Sequence, residues 1–218
     1  MARPSNFINV EWGLELAYAV GLITTDGNLS PDGRHINFTS KDESLCLLFK
    51  KCLGLENVIG KKARGGEHNK KYFVVQFGSL QFYKFLLSIG LTPAKSKTVG
   101  PLLIPDAFFS DFLRGCIDGD GNISETKHPE SQHIQLRLRL CSASEDFLIW
   151  ILAQSKRLYG TAGGWISTPV TKSIYMLNFG KADSVQILKA IYPHSCIYAL
   201  NRKMRIAHRH TGRVAELV

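Results

Sequence analysis

Residues 113–121, with the sequence LRGCIDGDG, decide the fold of this chain. Residues 19–27, with the sequence AVGLITTDG, repeat the pattern: an apolar helical run ends on an aspartate that is followed by glycine and asparagine. The two aspartates, Asp26 and Asp120, lie 94 residues apart, about the length of one small domain. The pattern therefore predicts one such carboxylate from each half of the molecule.

The strands after the two motifs repeat as well. A shift of 102 residues aligns residues 36–40 with 138–142, and the same shift aligns residues 72–78 with 174–180. One shift that serves two separated segments indicates an internal duplication. The acidic motifs fit a shift of 94 instead, so the second copy has gained a net eight residues between motif and strand, as a surface loop tolerates.

The hydrophobic periodicity of each copy predicts the element order αββαββα. Asp42 and Ser144 are expected to be N-caps of the middle helices. A linker at residues 99–105 divides an N-terminal subdomain, 1–98, from a C-terminal one, 106–218, whose basic tail begins as a helix after Leu200. The predicted helices are 11–25, 42–53, 79–89, 106–119, 144–159 and 181–191, and the predicted strands are 34–40, 57–64, 71–78, 134–142, 164–169 and 173–180.

The charge of the chain points to a polyanionic partner. Its 218 residues include 27 Lys and Arg against 18 Asp and Glu, a net charge of +9, and the excess is shared by both halves. An evenly basic chain favours nucleic acid as the partner. Because no stretch approaches the roughly 20 apolar residues of a membrane span, and the five cysteines form no C-x-x-C pair, we expect a soluble intracellular protein of cytoplasm, nucleoid or organelle matrix with free thiols and no membrane partner.

With these motifs the chain resembles the LAGLIDADG homing endonucleases, and in particular their single-chain, two-motif, intron-encoded type. The likeness covers roughly residues 10–205 and is strongest at 113–121; residues 40–42, 90–97 and 200–203 support it. The first motif departs from the family because Thr24 stands where an acidic residue is common. The resemblance implies an α+β fold in which two pseudo-symmetric αββαββα subdomains form a saddle, with antiparallel β ridges that bind DNA and a central two-helix interface.

Small residues prepare the motif helices for close packing. Ala17, Gly21 and Thr25 follow one another at four-residue spacing, and Gly115 and Gly119 do so in the second motif. Small side chains let two helix backbones approach closely. The resemblance implies that these helices pack in parallel, with Ala17, Gly21 and Gly115 in their interface, and deliver Asp26 and Asp120 to a shared point.

Two carboxylates that meet at the negative ends of two helix dipoles repel each other unless a divalent cation lies between them. Mg²⁺ suits such a site, with Mn²⁺ or Ca²⁺ as substitutes for binding. The family implies that the carbonyls of Thr25 and Gly119 join Asp26 and Asp120 as metal ligands. By resemblance, the further catalytic residues are the lysines that stabilise developing charge and the residues that order solvent: Lys97, Lys203, Ser40, Lys41 and Ser142. An EF-hand starting at Asp118 fails, because Ile123 and Pro129 stand where glycine and glutamate are needed.

The polar faces of the strands are the expected DNA readers. Arginine pairs bidentately with guanine, and Asn or Gln pairs with adenine; lysines at hairpin ends contact phosphates instead. Because Asn37 aligns with Arg139 and His35 with Arg137, the two halves read different bases and the target is expected to be non-palindromic. The predicted DNA-binding residues are His35, Asn37, Lys61, Lys62, Arg64, Lys70, Tyr72, Gln76, Arg137, Arg139, Lys172 and Asn178.

The sequence thus predicts a monomeric, Mg²⁺-dependent endodeoxyribonuclease that hydrolyses both strands of a long asymmetric DNA site and leaves short 3′ overhangs. The termini carry no splice-junction residues, which favours an intron over an intein as its source. Two alternatives stay open. One is a maturase-like RNA-binding protein that assists the splicing of its own intron RNA, and the other is a DNA-binding regulator with a decayed nuclease centre.

Overall fold

Each repeat folds in the predicted order αββαββα. The structure is a computed structural model and describes residues 7–63, 71–127, 134–168 and 173–212. The first repeat consists of α1 (Leu14–Asp26), β1 (Gly27–Leu29), β2 (His35–Ser40), α2 (Glu43–Cys52), β3 (Gly60–Lys62), β4 (Tyr72–Gly78) and α3 (Leu80–Ser88). The second consists of α4 (Phe109–Asp120), β5 (Gly121–Lys127), β6 (Ile134–Ser142), α5 (Glu145–Tyr159), β7 (Trp165–Ser167), β8 (Tyr175–Phe179) and α6 (Lys181–Ile191), and α7 (Asn201–Thr211) follows it. The predicted α+β fold class and both repeats are confirmed.

Each repeat builds one antiparallel sheet of four strands. The strand orders are β1-β2-β4-β3 and β5-β6-β8-β7, so the two sheets have the same topology. In the first sheet Asn37 lies opposite both Asn28 and Gln76, and in the second sheet Arg139 lies opposite both Asn122 and Asn178. The duplication is therefore visible in strand register as well as in sequence.

Alternating strands bury one face of each sheet. In β2 the side chains of Ile36 and Phe38 are fully buried, while His35 and Asn37 on the opposite face are half-buried. Phe38 stacks on Phe49 of α2 at a ring-centroid distance of 4.7 Å. The second sheet buries an equivalent leucine row against its own helices. Each sheet thus keeps one polar face for other contacts; the buried leucines of β6 are Leu136, Leu138 and Leu140.

The turn before the middle helix is built alike in both repeats. The hydroxyl oxygen of Ser40 accepts the backbone N–H of Asp42 at 3.1 Å, and that of Ser142 accepts the N–H of Ser144 at 3.0 Å. Asp42 caps α2, as predicted, by accepting from the N–H of Ser44. Ser144 is the N-cap residue of α5, as predicted, but its hydroxyl donates to the carbonyl of Val99 at 2.5 Å and not to the first turn of the helix.

The chain forms two compact units. The first comprises Met1–Lys95 and Leu102–Gly119, and the second comprises Ser96–Pro101 and Asp120–Val218. Helix α4 therefore packs with the first unit although its sequence belongs to the second repeat. The predicted subdomain boundaries, which follow the repeat, stay a prediction, as does the saddle.

The five cysteines are free thiols, as expected. Burial raises the pKa of Cys46 to about 11 and that of Cys52 to about 12, so both thiols are protonated at neutral pH. Across the part of the chain that the structure describes, none of the helices combines the length and the apolar character that a membrane crossing requires.

Candidate functional site at the ends of the motif helices

Two glycines bring the backbones of α1 and α4 into contact. A β-carbon on Gly21 would stand 2.1 Å from the carbonyl oxygen of Phe112, and one on Gly115 would stand 2.3 Å from that of Tyr18. Both distances are far below any van der Waals contact, so only glycine fits at either place. Ala17, one turn before Gly21, is fully buried. Gly21 and Gly115 thus lie where α1 and α4 approach each other, and the role of Ala17 in the predicted interface stays a prediction.

The same close approach continues to the last turn of the helices. A β-carbon on Gly119 would lie 2.2 Å from Oγ1 of Thr25 and 3.0 Å from Oδ2 of Asp26. The Asp26 carboxylate therefore lies against the backbone of Gly119 and is half-buried. Asp120, the next residue of the chain, ends α4, begins the second unit and is exposed.

A buried lysine binds the backbone directly after each motif aspartate. Lys95 Nζ donates to the carbonyl of Gly27 at 2.8 Å, and Lys203 Nζ donates to the carbonyl of Gly121 at 2.7 Å. These lysines are only 5% and 3% exposed, although lysine is almost never buried. Each repeat therefore holds an ammonium group beside the exit of its motif helix.

This geometry corrects one sequence-based assignment. Lys97 was predicted as the equivalent of Lys203, but Lys97 is exposed and Lys95 has the equivalent position. No periodic pattern in the sequence separates the two lysines, because Lys95–Lys97 is a single 3-10 turn in an otherwise irregular stretch. A catalytic role of Lys97 stays a prediction.

A buried polar network lies beside this contact, on α1 and α4. The phenol of Tyr18 donates to Oδ2 of Asp118 at 2.8 Å, and the Arg114 guanidinium lies 5.5 Å from the Tyr18 ring centroid and pairs with Asp111. All four residues are at most 8% exposed. Burial and the neighbouring Asp118 carboxylate raise the pKa of Tyr18 well above its ordinary value, so its hydroxyl stays a donor.

The residues predicted to order solvent have local partners. The hydroxyls of Ser40 and Ser142 accept backbone N–H groups in the turns described above. Lys41 is exposed, and its ammonium lies 5.4 Å from the ring centroid of Tyr72. Ala143 has the equivalent position in the second repeat, so this part of the two halves differs chemically.

Most of the predicted DNA readers lie on the polar faces of the two sheets. Gln76 and Arg137 are exposed, and Asn37, Tyr72 and Arg139 are half-buried. On β3, Lys61 is exposed and lies 5.2 Å from the Phe73 ring centroid, and Lys62 is half-buried. Arg64, Lys70 and Lys172 lie outside the described residues.

Asn178 differs from its repeat equivalent, Gln76. It is 6% exposed, and its amide nitrogen donates to the carbonyl of Met176 at 2.8 Å and to the hydroxyl of Ser167 at 3.0 Å. Its donors are therefore used inside the sheet. Reading of adenine by Asn178 stays a prediction, and it would require the amide to leave these partners.

Comparison with known proteins gives fold relatives and no sequence family. No family model matches the chain, and no curated protein matches it. The I-SmaMI LAGLIDADG homing endonuclease bound to cleaved DNA is 13% identical with a TM-score of 0.58, covering 94% of this chain and 89% of that one. The I-LtrWI LAGLIDADG homing endonuclease bound to target DNA is 13% identical with a TM-score of 0.56, covering 91% of each chain.

A third relative is the full-length WhiA of Thermatoga maritima, at 18% identity and a TM-score of 0.58. The likeness covers 96% of this chain, which spans about 65% of WhiA. The N-terminal LAGLIDADG domain of WhiA alone matches at 19% identity, with 93% of this chain and 92% of that domain covered. This chain has the LAGLIDADG fold.

The ends of the LAGLIDADG helices offer a limited set of metal ligands. Within the described ranges, no three His, Cys, Asp or Glu side chains gather as a metal site would require. The predicted metal ligands are the carboxylates of Asp26 and Asp120 and the backbone carbonyls of Thr25 and Gly119, and their joint binding of a cation stays a prediction. This donor set fits Mg²⁺, which is bound by one or two carboxylates and keeps several waters.

Proposed function

We propose that this protein is a Mg²⁺-dependent, site-specific DNA endonuclease of the homing type, and that it hydrolyses both strands of its target. One observation carries the proposal. In each repeat a motif aspartate is followed by a glycine whose carbonyl binds a buried lysine: Asp26 with Lys95, and Asp120 with Lys203. Burying an ammonium group is costly, and DNA binding alone gives no reason to do so twice beside an aspartate.

The fold relatives support a DNA partner. I-LtrWI and I-SmaMI are both described in complex with DNA, and I-SmaMI is described with cleaved DNA and as variants in which one or two lysines are replaced by alanine. The evenly spread net charge of +9 provides the attraction to phosphates that any such complex needs. That this chain also cleaves DNA is our proposal.

We assign the metal to Asp26 and Asp120, with the Thr25 and Gly119 carbonyls completing the protein ligands. The contact of the Asp26 carboxylate with Gly119, the residue before Asp120, supports this assignment. When bound, Mg²⁺ lowers the pKa of a water molecule and stabilises charge on the phosphodiester oxygens. Mn²⁺ and Ca²⁺ are expected to substitute for it in binding.

The side chains of the protein supply binding and positive charge. Lys95 and Lys203 hold ammonium groups in fixed positions, where they stabilise negative charge that develops on the phosphate. The polar faces of the sheets read base edges, with Asn37 and Gln76 in the first repeat and Arg137 and Arg139 in the second. Because these pairs differ, one monomer reads a non-palindromic site; the cut leaves short 3′ overhangs.

The decisive experiment replaces the two motif aspartates. Asp26→Asn and Asp120→Asn should each lower Mg²⁺-dependent cleavage of a selected target by at least about 100-fold, since each removes a charge-stabilising ligand. Binding of the same duplex, measured in Ca²⁺, should change little. Glu56→Gln, at an exposed acid of the first repeat, is the matched control. Full cleavage by the Asp120→Asn protein, or cleavage in EDTA, would reject the metal assignment.

The fold alone does not imply cleavage, because it also occurs in WhiA, which is not described as a nuclease. The same assay separates the alternatives. Binding of duplex DNA without any cut by the unaltered protein in Mg²⁺ would indicate a regulator. Stimulated splicing of its intron RNA without DNA cleavage would indicate a maturase.

A further inference from the structure

The turn between β1 and β2 holds a carboxylate against the first residue of β2. Asp32 Oδ1 accepts the backbone N–H groups of Arg34 at 3.1 Å and of His35 at 3.0 Å. Its other oxygen, Oδ2, forms a short hydrogen bond with Nδ1 of the His35 ring. Asp32 therefore binds both the backbone and the side chain of a residue predicted to read DNA.

The turn itself is anchored on three sides. The N–H of Ser30 donates to the carbonyl of His35 at 2.9 Å, and the phenol of Tyr83 on α3 donates to the carbonyl of Ser30 at 2.6 Å. The N–H of Ser79 donates to the carbonyl of Arg34 at 3.0 Å. These bonds hold the backbone on both sides of Asp32, next to the imidazole with which its carboxylate pairs.

The imidazole of His35 lies across a glycine on the polar face of the first sheet. His35 is paired with Gly78 of β4, where a β-carbon would lie 3.3 Å from Cδ2 and 3.4 Å from Nε2 of the ring. The histidine side chain is 34% exposed, on the same face as Asn37 and Gln76. Among the residues that the structure describes, nothing hydrogen-bonds to Nε2, so this nitrogen is available to a ligand.

The pairing with Asp32 determines what Nε2 can do. Hydrogen bonds from the His35 ring and from the backbone of His35 and Arg34 lower the pKa of Asp32 to about 2, so the carboxylate is ionised near neutral pH. An ionised carboxylate only accepts hydrogen bonds, and Nδ1 must therefore carry the ring hydrogen. In the neutral imidazole, Nε2 is then an acceptor.

We propose that Asp32 is a positioning residue that fixes His35 as a hydrogen-bond acceptor, so that the first sheet selects a base with an exposed amino group. In the major groove that group belongs to adenine or cytosine, whereas guanine offers only acceptors. The inference rests on the proposed function in one respect, since it requires DNA to meet this face of the sheet.

The aligned residue of the second repeat reads the opposite group. Arg137 takes the place of His35 under the shift of 102 residues, and a guanidinium only donates hydrogen bonds. The two sheets therefore present an acceptor and a donor at the same strand position. We therefore expect a base with an exposed amino group at one half-site of the target and guanine at the other.

The first test needs no DNA and uses Asp32→Asn. The asparagine oxygen can keep both backbone hydrogen bonds, while its amide nitrogen donates to Nδ1 of His35 and moves the ring hydrogen to Nε2. We expect ¹⁵N NMR of the imidazole in mildly alkaline buffer, with the spectrum of the neutral ring, to show hydrogen on Nδ1 in the unaltered protein and on Nε2 in the variant. Loss of the signals in His35→Gln assigns them. Hydrogen on Nε2 in the unaltered protein would overturn the proposal.

The second test selects bound duplexes from a randomised library at the same pH. His35→Ala should flatten the preference at one base pair, and Asp32→Asn should move it from adenine or cytosine to an acceptor base by about tenfold; Glu56→Gln should leave it unchanged. An unaltered protein that selects no duplex would contradict the proposed function but not the tautomer. This inference alone would be contradicted if the unaltered protein selects a site and Asp32→Asn keeps the same base preference at the pair that His35 reads. Circular dichroism checks that each variant is folded.

Discussion

The two motif helices end alike and are packed differently. In each repeat the carbonyl of the glycine that follows the motif aspartate accepts a hydrogen bond from a buried lysine, and the two distances differ by only 0.1 Å. Farther back along the helices, α4 buries Arg114 and Asp118, where α1 has Val20 and Thr24. The two repeats are therefore alike at the ends of the motif helices and differ in the core behind them.

The change in the core follows a physical rule. A buried carboxylate requires a hydrogen-bond donor, and Asp118 has one in the phenol of Tyr18. The residue that aligns with Tyr18 in the second motif is Phe112, which has no hydroxyl, and the residue that aligns with Asp118 is Thr24. Thr24 needs no outside donor because its own hydroxyl donates to the carbonyl of Val20 at 2.8 Å. The departure of the first motif from the family pattern is thus explained by packing.

The largest effect is expected where the two helices are alike. Gly21→Ala and Gly115→Ala should each destabilise the protein by about 3 kcal/mol or more, because the added carbon meets a backbone oxygen that cannot rotate away. Urea unfolding followed by circular dichroism measures the loss. Gly100→Ala is the control, since a β-carbon there has open space around it. Similar stability of all three variants would show that the helices do not touch.

Substitution of the buried lysines tests whether the ends of α1 and α4 are chemically equivalent. Lys95→Met and Lys203→Met should each lower the rate of DNA cleavage by about 100- to 1000-fold, as expected for the loss of a positioned charge. Lys97→Met should stay within about twofold of the unaltered protein, because Lys97 is exposed. Single-turnover cleavage is the measurement. A large loss in Lys97→Met with none in Lys95→Met would restore the assignment made from the sequence.

Two tyrosine variants compare a hydrogen bond to a buried carboxylate with a hydrogen bond to a neutral carbonyl. Tyr18→Phe should lower the free energy of unfolding by about 2 kcal/mol, since it removes a hydrogen bond to a buried carboxylate. Tyr83→Phe removes a bond to a neutral carbonyl and should cost only about 1 kcal/mol. Equal losses in the two variants would mean that the buried charge adds nothing.

The smallest effect concerns a clamp in the second repeat, where Glu125 on β5 pairs with Arg209 and His210 on α7. The hydrogen bond from Arg209, aided by His210, lowers the pKa of Glu125. A lowered carboxyl pKa stabilises the fold above the ordinary value, and this contribution is lost as the pH falls through the lowered one. Glu125→Gln should therefore cost under about 1 kcal/mol at pH 7, and this cost should shrink as the pH falls below the ordinary carboxyl pKa. Thermal unfolding across that range measures it, and a constant difference would contradict the pairing.

The sequence predicted the elements well because their hydrophobic periods are long and regular. Strand β6 coincides with the predicted 134–142, since three leucines alternate without interruption. Helix α1 begins three residues later than predicted, because Gly13 is extended and precedes its first turn. Strand β3 is shorter than predicted because the Asn57 side chain, rather than its backbone, donates to the carbonyl of Gln76.

The sequence predicts the site residues that recur at the same position in both repeats. It does not predict which of several similar residues is buried. The motif aspartates and interface glycines follow from spacing alone. Lys95 and Lys97 are chemically identical, and only the folded chain shows that Lys95 is the buried one, with its ammonium on the carbonyl of Gly27. In the same way Asn178 follows the strand alternation of a reader, but contacts across β7 enclose its amide.

The glycine contact also bears on whether one repeat can fold by itself. Helix α4 belongs to the second repeat in sequence yet completes the first compact unit, where Gly21 and Gly115 each require the backbone of the other helix. A chain cut between the two repeats would leave the glycine surface of α1 uncovered. The boundary of the sequence repeat is therefore not a boundary at which the protein can be divided without loss of packing.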